Sequence, residues 1–146
     1  MVNFRAITED NFDAVINMKR PEGEGFVAFN AVSLAQAWLC RDNGDVFPFA
    51  LYDDDTLVGF MLVEEDMDEK RLDLWRFMLS PQQEGRGLGT AAVELLIRYA
   101  RDSRRYSCLQ LLCAPENAAA RHIYDKLGFR PTGEICFGDV EMGLKL

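Results

Sequence analysis

Metal chemistry and disulfide stapling have little to work with in this 146-residue chain. It carries a single histidine, His122, and four cysteines, Cys40, Cys108, Cys113 and Cys136. No two cysteines form a CxxC pair, so the spacing that gathers a zinc or iron–sulfur ligand set is missing and no metal is expected. The thiols are expected to stay free, in a reducing compartment. No run approaches ~18 apolar residues, and MVNFRAITEDN at the start has no apolar h-region, so neither a membrane span nor an export leader is expected; the cytoplasm is the expected location. Positive charge is also short. Sixteen Lys and Arg against 24 Asp and Glu leave a net charge of −8, which argues against general nucleic-acid binding and suits a cationic partner. Repeats, linkers and low-complexity segments are absent, and residues 1–146 read as one domain, long enough to bury a core without staples.

The periodicities alternate between strand and helix. Val2 to Ile7 is β-prone; Thr8 and the acids after it cap a helix carried by Phe12, Val15 and Ile16 to about Met18. Lys19 to Gly25, with Pro21 and two glycines, makes an exposed loop carrying Glu22 and Glu24. A second helix is expected with Ser33 as cap and Leu34, Ala37 and Trp38 toward the core. Val46 to Tyr52, Leu57 to Val63 and Leu72 to Leu79 form an antiparallel meander, its first turn at DDDT. A helix over about Thr90 to Ser103 follows, then a buried strand over Ser107 to Cys113. Asn117 begins a helix that Gly128 ends, and two strands, Arg130 to Phe137 and Val140 to Lys145, turn at Gly138-Asp139. The order β-α-α-β-β-β-α-β-α-β-β is economical as one α/β (α+β) mixed sheet with helices on its faces.

Gln82 to Thr90, QQEGRGLGT, joins the fourth strand to the third helix. Gly85, Gly87 and Gly89 free the backbone to turn tightly with its N–H groups toward one object, and the helix adds a positive dipole end, which together favour an anion such as phosphate. A P-loop would need a GKS or GKT ending, where this chain has GLGT; a dinucleotide fingerprint would need G-x-G-x-x-G in an early βαβ unit. The spacing Gln82-x-x-Gly85-x-Gly87 instead resembles the acyl-CoA pyrophosphate loop of the GNAT N-acetyltransferases. A second pattern of that family stands in its proper place, with Asn117, Ala120, Tyr124, Gly128 and Phe129 in NAAARHIYDKLGF, and the element order is the family's. Upstream, EGFVAFNAVSLAQAW and LWRFML resemble the bacterial spermine/spermidine (diamine) acetyltransferase branch.

The resemblance implies acetyl-CoA as acetyl donor, with no metal, held by Gln82, Gln83, Glu84, Gly85, Arg86, Gly87, Leu88, Gly89 and Thr90. The main chain of Phe77, Met78 and Leu79 would pair with pantetheine and polarise the thioester carbonyl. Asn117 would hydrogen-bond the cofactor as well as cap its helix. Tyr124 would hold the cofactor and protonate the departing CoA thiolate, a role suited to a phenol of pKa ~10. His122 is expected at the surface, and Cys113 near the cofactor or as a small buried hydrophobe.

Only about 1 in 10³ molecules of an alkylamine of pKa ~10.4 is neutral at pH 7, so deprotonation is the difficult step. Some family members place a carboxylate two or three residues before the apolar end of the fourth strand; this chain has Trp75 and Arg76 there. Asp73, one same-face step back, is the leading candidate base, with Glu64 and Glu65 as alternatives acting directly or through water. Glu22, Glu24, Glu64, Glu65 and Trp75 are candidates for holding the acceptor. The implied acceptor is a small amine, foremost a polyamine such as spermidine or spermine, attacking directly in a ternary complex. Another amine (antibiotic, amino acid or protein amine) and a non-catalytic acyl-CoA-binding module stay open. The family habit also implies a homodimer.

Overall fold

The computed structural model describes residues 1–19 and 29–146. Seven strands form one sheet in the order β1-β2-β3-β4-β5-β7-β6. They are β1 (Val2–Ala6), β2 (Val46–Asp53), β3 (Thr56–Asp66), β4 (Arg71–Leu79), β5 (Cys108–Cys113), β6 (Arg130–Cys136) and β7 (Asp139–Lys145). Four helices accompany them: α1 (Phe12–Ile16), α2 (Asn30–Leu39), α3 (Leu88–Ser103) and α4 (Ala118–Lys126), with a short 3-10 turn at Pro81–Gln83. Element order and mixed sheet are those expected from the sequence. Every neighbouring pair is antiparallel except β4 and β5, which run parallel. That pair is joined through α3, as a parallel connection requires.

Strand alternation sorts the side chains into two cores. Met61, Val63, Leu72, Leu74, Leu109, Leu111 and Met142 meet Ala92, Val93, Leu96 and Ala100 of α3 on one face. On the other, Phe60, Leu62 and Met78 pack with Val15 and Ala37 from α1 and α2. Helix α3 is the anchor of the first core, with seven buried residues at helical spacing.

Several local expectations are corrected. Helix α2 starts at Asn30 with Phe29 at the N-cap position, so Ser33 is no cap; it lies fully buried within the helix. Trp38 is 61% exposed, its ring covered by the Arg41 guanidinium at 3.7 Å instead of by the core. Helix α3 begins at Leu88, two residues before Thr90. The last hairpin turns on Phe137 and Gly138, with φ of 53° and 84°, one residue earlier than expected. Two consecutive left-handed residues suit the twist of a tight hairpin, which is why the turn settles there.

Candidate active site

Strands β4 and β5 pair only from Arg71 to Leu74 against Cys108 to Leu111. Beyond Leu74, β4 runs on through Leu79 without a β5 partner, while its other edge stays bonded to β3. The parting coincides with a β-bulge. Leu62 opposes Arg76 and Val63 opposes Leu74, so Trp75 is an extra residue in β4, and extra residues bend a strand and redirect its side chains. The result is a cleft of about 730 Å³ at the carboxyl ends of the two parallel strands, a size ordinary for small-molecule sites and a place where open α/β sheets bind ligands. One wall is the β4 segment from Leu74 to Leu79, which brings Trp75, Arg76, Phe77, Met78 and Leu79 to the cleft.

The glycine loop closes one end of the cleft. Gln83, Glu84, Gly85, Gly87, Leu88, Gly89 and Thr90 line it. The three glycines serve two purposes. Gly85 and Gly87 have φ of 77° and 74°, a region side chains disfavour, and a Cβ on either would meet nothing within 4 Å. Gly89 is ordinary helix, but a Cβ there would sit 3.0 Å from Cδ1 of Ile123, so it lets α3 approach α4. Gly87 is the N-cap of α3 and offers no side-chain cap, leaving the first-turn N–H groups and the positive dipole end for an anion at the cleft. Gln82 and Arg86 lie outside the lining. Arg86 is drawn away by Gln83 and by Asp53, 3.1 Å distant.

Helix α4 supplies the opposite wall with Asn117, Ala119, Ala120, Ile123 and Tyr124. Asn117 caps the helix, its side-chain oxygen accepting from the Ala120 N–H at 3.2 Å. At the other end, Gly128 takes φ of 98°, the Phe129 N–H donates to the Tyr124 carbonyl at 3.0 Å, and the Phe129 ring packs edge-on against Tyr124 at 5.7 Å. This is a Schellman cap with its apolar contact, and it gives Gly128 and Phe129 a physical reason for following Tyr124 at that spacing. The pair of caps fixes the pose of Tyr124, which is 6% exposed. Its hydroxyl has no hydrogen-bond partner among the described residues. Burial, then the neighbouring Cys113, push the phenol well above its ordinary range, so it stays protonated and able to donate. Cys113 also lines the cleft, its thiol pushed up mainly by burial.

None of the acids proposed as base lines the cleft. Asp73 accepts from Arg71 at 2.7 Å, on the face of the sheet that α2 covers. Glu64 is its cross-strand partner on that face and has no ion pair among the described residues; partial burial first, then Asp73 and Asp45, raise its pKa. Glu65 points to the opposite face and is taken up in structure. It is buried, accepts from the Tyr106 hydroxyl and pairs with Arg105 at 3.0 Å, so it is removed from the acceptor candidates. Glu22 and Glu24 lie outside the described residues. Sequence reasoning missed Arg76, Leu112 and Asp139, all of which line the cleft. Arg76 was legible only as a departure from a pattern, and Asp139 reaches the site because β7 pairs with β5 across an intervening helix and strand.

Parted parallel strands, a helix N-terminus without a side-chain cap and a buried phenol meet in this cleft. The chain belongs to the acetyltransferase (GNAT) family, whose profile matches residues 12–129, and is an acetyl-CoA-dependent acetyltransferase. Over 151 aligned residues it is 26% identical to the spermine/spermidine N(1)-acetyltransferase of Bacillus subtilis, covering 99% of this chain and 97% of that one. Two solved structures share the fold. A PaiA N-acetyltransferase from Thermoplasma acidophilum in complex with coenzyme A superposes with a TM-score of 0.75 at 16% identity, covering 100% and 99% of the chains. Spermidine N-acetyltransferase from Vibrio cholerae in complex with CoA and spermine gives 0.77 at 17%, covering 99% and 95%.

Proposed function

We propose that the protein acetylates a primary amine of a polyamine such as spermidine or spermine, by direct attack on acetyl-CoA in a ternary complex. The observation that carries the acceptor class is Glu64. Outside the cleft lining, on the sheet face that also carries Arg76, it is a partly desolvated carboxylate beside Asp73 with no ion pair among the described residues, which suits an organic cation. The net charge of −8 steers cations toward it. The whole-length likeness to a spermine/spermidine acetyltransferase supports the same acceptor.

The chemistry follows the cleft. The pyrophosphate of acetyl-CoA fits the α3 N-terminus, and the backbone from Phe77 to Leu79 can pair with the pantetheine arm and polarise the thioester carbonyl. The neutral amine forms the new C–N bond, its nitrogen sheds the extra proton to water, the C–S bond breaks, and Tyr124 gives its own proton to the leaving sulfur, recovering one from solvent afterwards. Trp75 walls the acceptor end.

Spermidine is expected to show a higher kcat/KM than a simple alkylamine at low salt, with the gap narrowing as salt screens the exposed charges. Equal values for the two would reject the polyamine reading and leave acetyl transfer standing.

Glu64→Gln should separate binding from stability. A raised carboxyl pKa means the folded protein binds protons more tightly than the unfolded chain, so the Glu64 contribution is fully present below pH 4.5 and is lost as pH rises through the folded value. The variant should therefore melt higher than the parent at pH 7 and level with it in acid, while its KM for spermidine rises. A lower melting temperature at pH 7 with unchanged KM would show that Glu64 does neither.

A further inference from the structure

Arg76 is a cation in the wall of the cleft. The residue lines the cleft from the bulged part of β4, and its guanidinium donates to Gln36 Oε1 at 2.5 Å and to Ser33 Oγ at 3.4 Å, both uncharged groups of α2. The Trp75 ring lies 4.8 Å beneath it. No carboxylate among the described residues pairs with it. Helix α2 has no charged residue over its whole length; its cross-strand partner on β3 is Leu62, and β5 offers Gln110 and Leu112 on that side. Among the described residues, the charged groups of the neighbourhood are Glu64 one strand over, Asp73 held by Arg71, and, in the cleft lining, Glu84 of the glycine loop and Asp139 at the start of β7. Partial burial lowers the pKa of Arg76 itself.

Building on the acetyl-transfer reading above, we infer that the positive charge of Arg76 repels a bound ammonium and so holds the attacking nitrogen neutral. The proton leaves the amine to water through the open end of the cleft, and no protein base need receive it. The same field orients a polyamine. Its neutral end faces Arg76 and the thioester, and a distal ammonium turns toward Glu64, which backbone spacing places roughly 8 Å away. A unit charge about 6 Å from the nitrogen, at an effective dielectric of 20–40, shifts its ionisation by about one to two pH units.

The test is the pH dependence of single-turnover rate with acetyl-CoA bound and spermidine saturating, since that rate reports ionisations in the ternary complex while kcat/KM reports the free amine. In the parent, the acidic limb of the rate should fall below the ordinary amine value of ~10.4. Arg76→Gln should move that limb upward by about one to two units, slowing turnover at pH 7 about tenfold or more, and Arg76→Lys should restore it. The kcat/KM limb should stay at the free amine in all three. A purely structural role would lower the rate evenly across pH and leave the limb in place, which would overturn the inference. So would a preferred acceptor bearing a carboxylate whose KM rises in Arg76→Gln, because Arg76 would then be an anion clamp. Graded amines on the parent give a check independent of the variant's folding: the limb should sit below each amine's own pKa by a constant offset, and coincidence with it would refute the idea. A parent that releases no CoA with any amine refutes the transfer reading itself.

Discussion

Tyr124→Phe should lose about 10²- to 10⁴-fold in kcat, provided chemistry limits the rate, while acetyl-CoA affinity hardly moves. Phe keeps the ring, its edge-on contact with Phe129 and the capped end of α4, and deletes only the hydroxyl. That hydroxyl has no hydrogen-bond partner among the described residues, so its removal leaves no described group orphaned. At most the ~0.5–1.5 kcal/mol of one hydrogen bond to the bound cofactor would be lost. Burial keeps the parental phenol protonated across the working pH range, so it starts each turnover as a donor. Single-turnover rate and acetyl-CoA binding, measured separately, check this. A parental rate in the variant would refute the proton-donor role, and a variant that fails because it no longer binds acetyl-CoA would make Tyr124 a cofactor-holding residue.

Gly87→Val should abolish most of the stabilisation that acetyl-CoA confers. A ligand at a hundredfold excess over Kd adds ~2.7 kcal/mol, which for a domain of this size raises Tm by roughly 5–10 °C. Gly87 has φ of 74° with open space around its absent Cβ. Valine is therefore excluded by backbone conformation and not by collision, and the loop must take another path, turning its N–H groups from the anion. The seven buried residues of α3 hold the fold meanwhile. Gly44→Val is the matched control, since Gly44 has φ of 70° and equally open surroundings in a turn that does not line the cleft. It should lower Tm but keep the full acetyl-CoA shift. A Gly87→Val protein that folds and retains the parental shift would remove the glycine loop from cofactor binding.

The features legible in the sequence are those where backbone geometry demands a residue type. Gly87 must take a left-handed φ at a helix start, and Asn117, Gly128 and Phe129 are the two caps of α4, so each left a mark readable without coordinates. Helical periodicity also revealed α3, because its buried stripe is long. Ser33 misled because a serine near a helix start resembles a cap, whereas here the chain enters one turn earlier and the hydroxyl packs beneath Arg76. Trp38 misled because its ring can lie under a guanidinium as well as in a core. The acceptor end was the least legible. A bulge adds one residue at Trp75, so simple alternation from Leu79 back to Asp73 assigns faces wrongly, and nothing local announces a bulge in LWRFML. Glu64 and Glu65 are adjacent acids that look interchangeable; only the sheet shows that one faces α2 and the other is buried under Tyr106.

The central claim is that this cleft moves an acetyl group from acetyl-CoA to a polyamine nitrogen. Incubating the protein with acetyl-CoA and spermidine, while following free thiol and the mass of the amine together, tests it most directly. One thiol should be released for each spermidine that gains one acetyl group, and in Tyr124→Phe both signals should slow together by about 10²- to 10⁴-fold. Thiol release without acetylated amine, or no release with spermidine, spermine or any other amine while acetyl-CoA still binds, would contradict it.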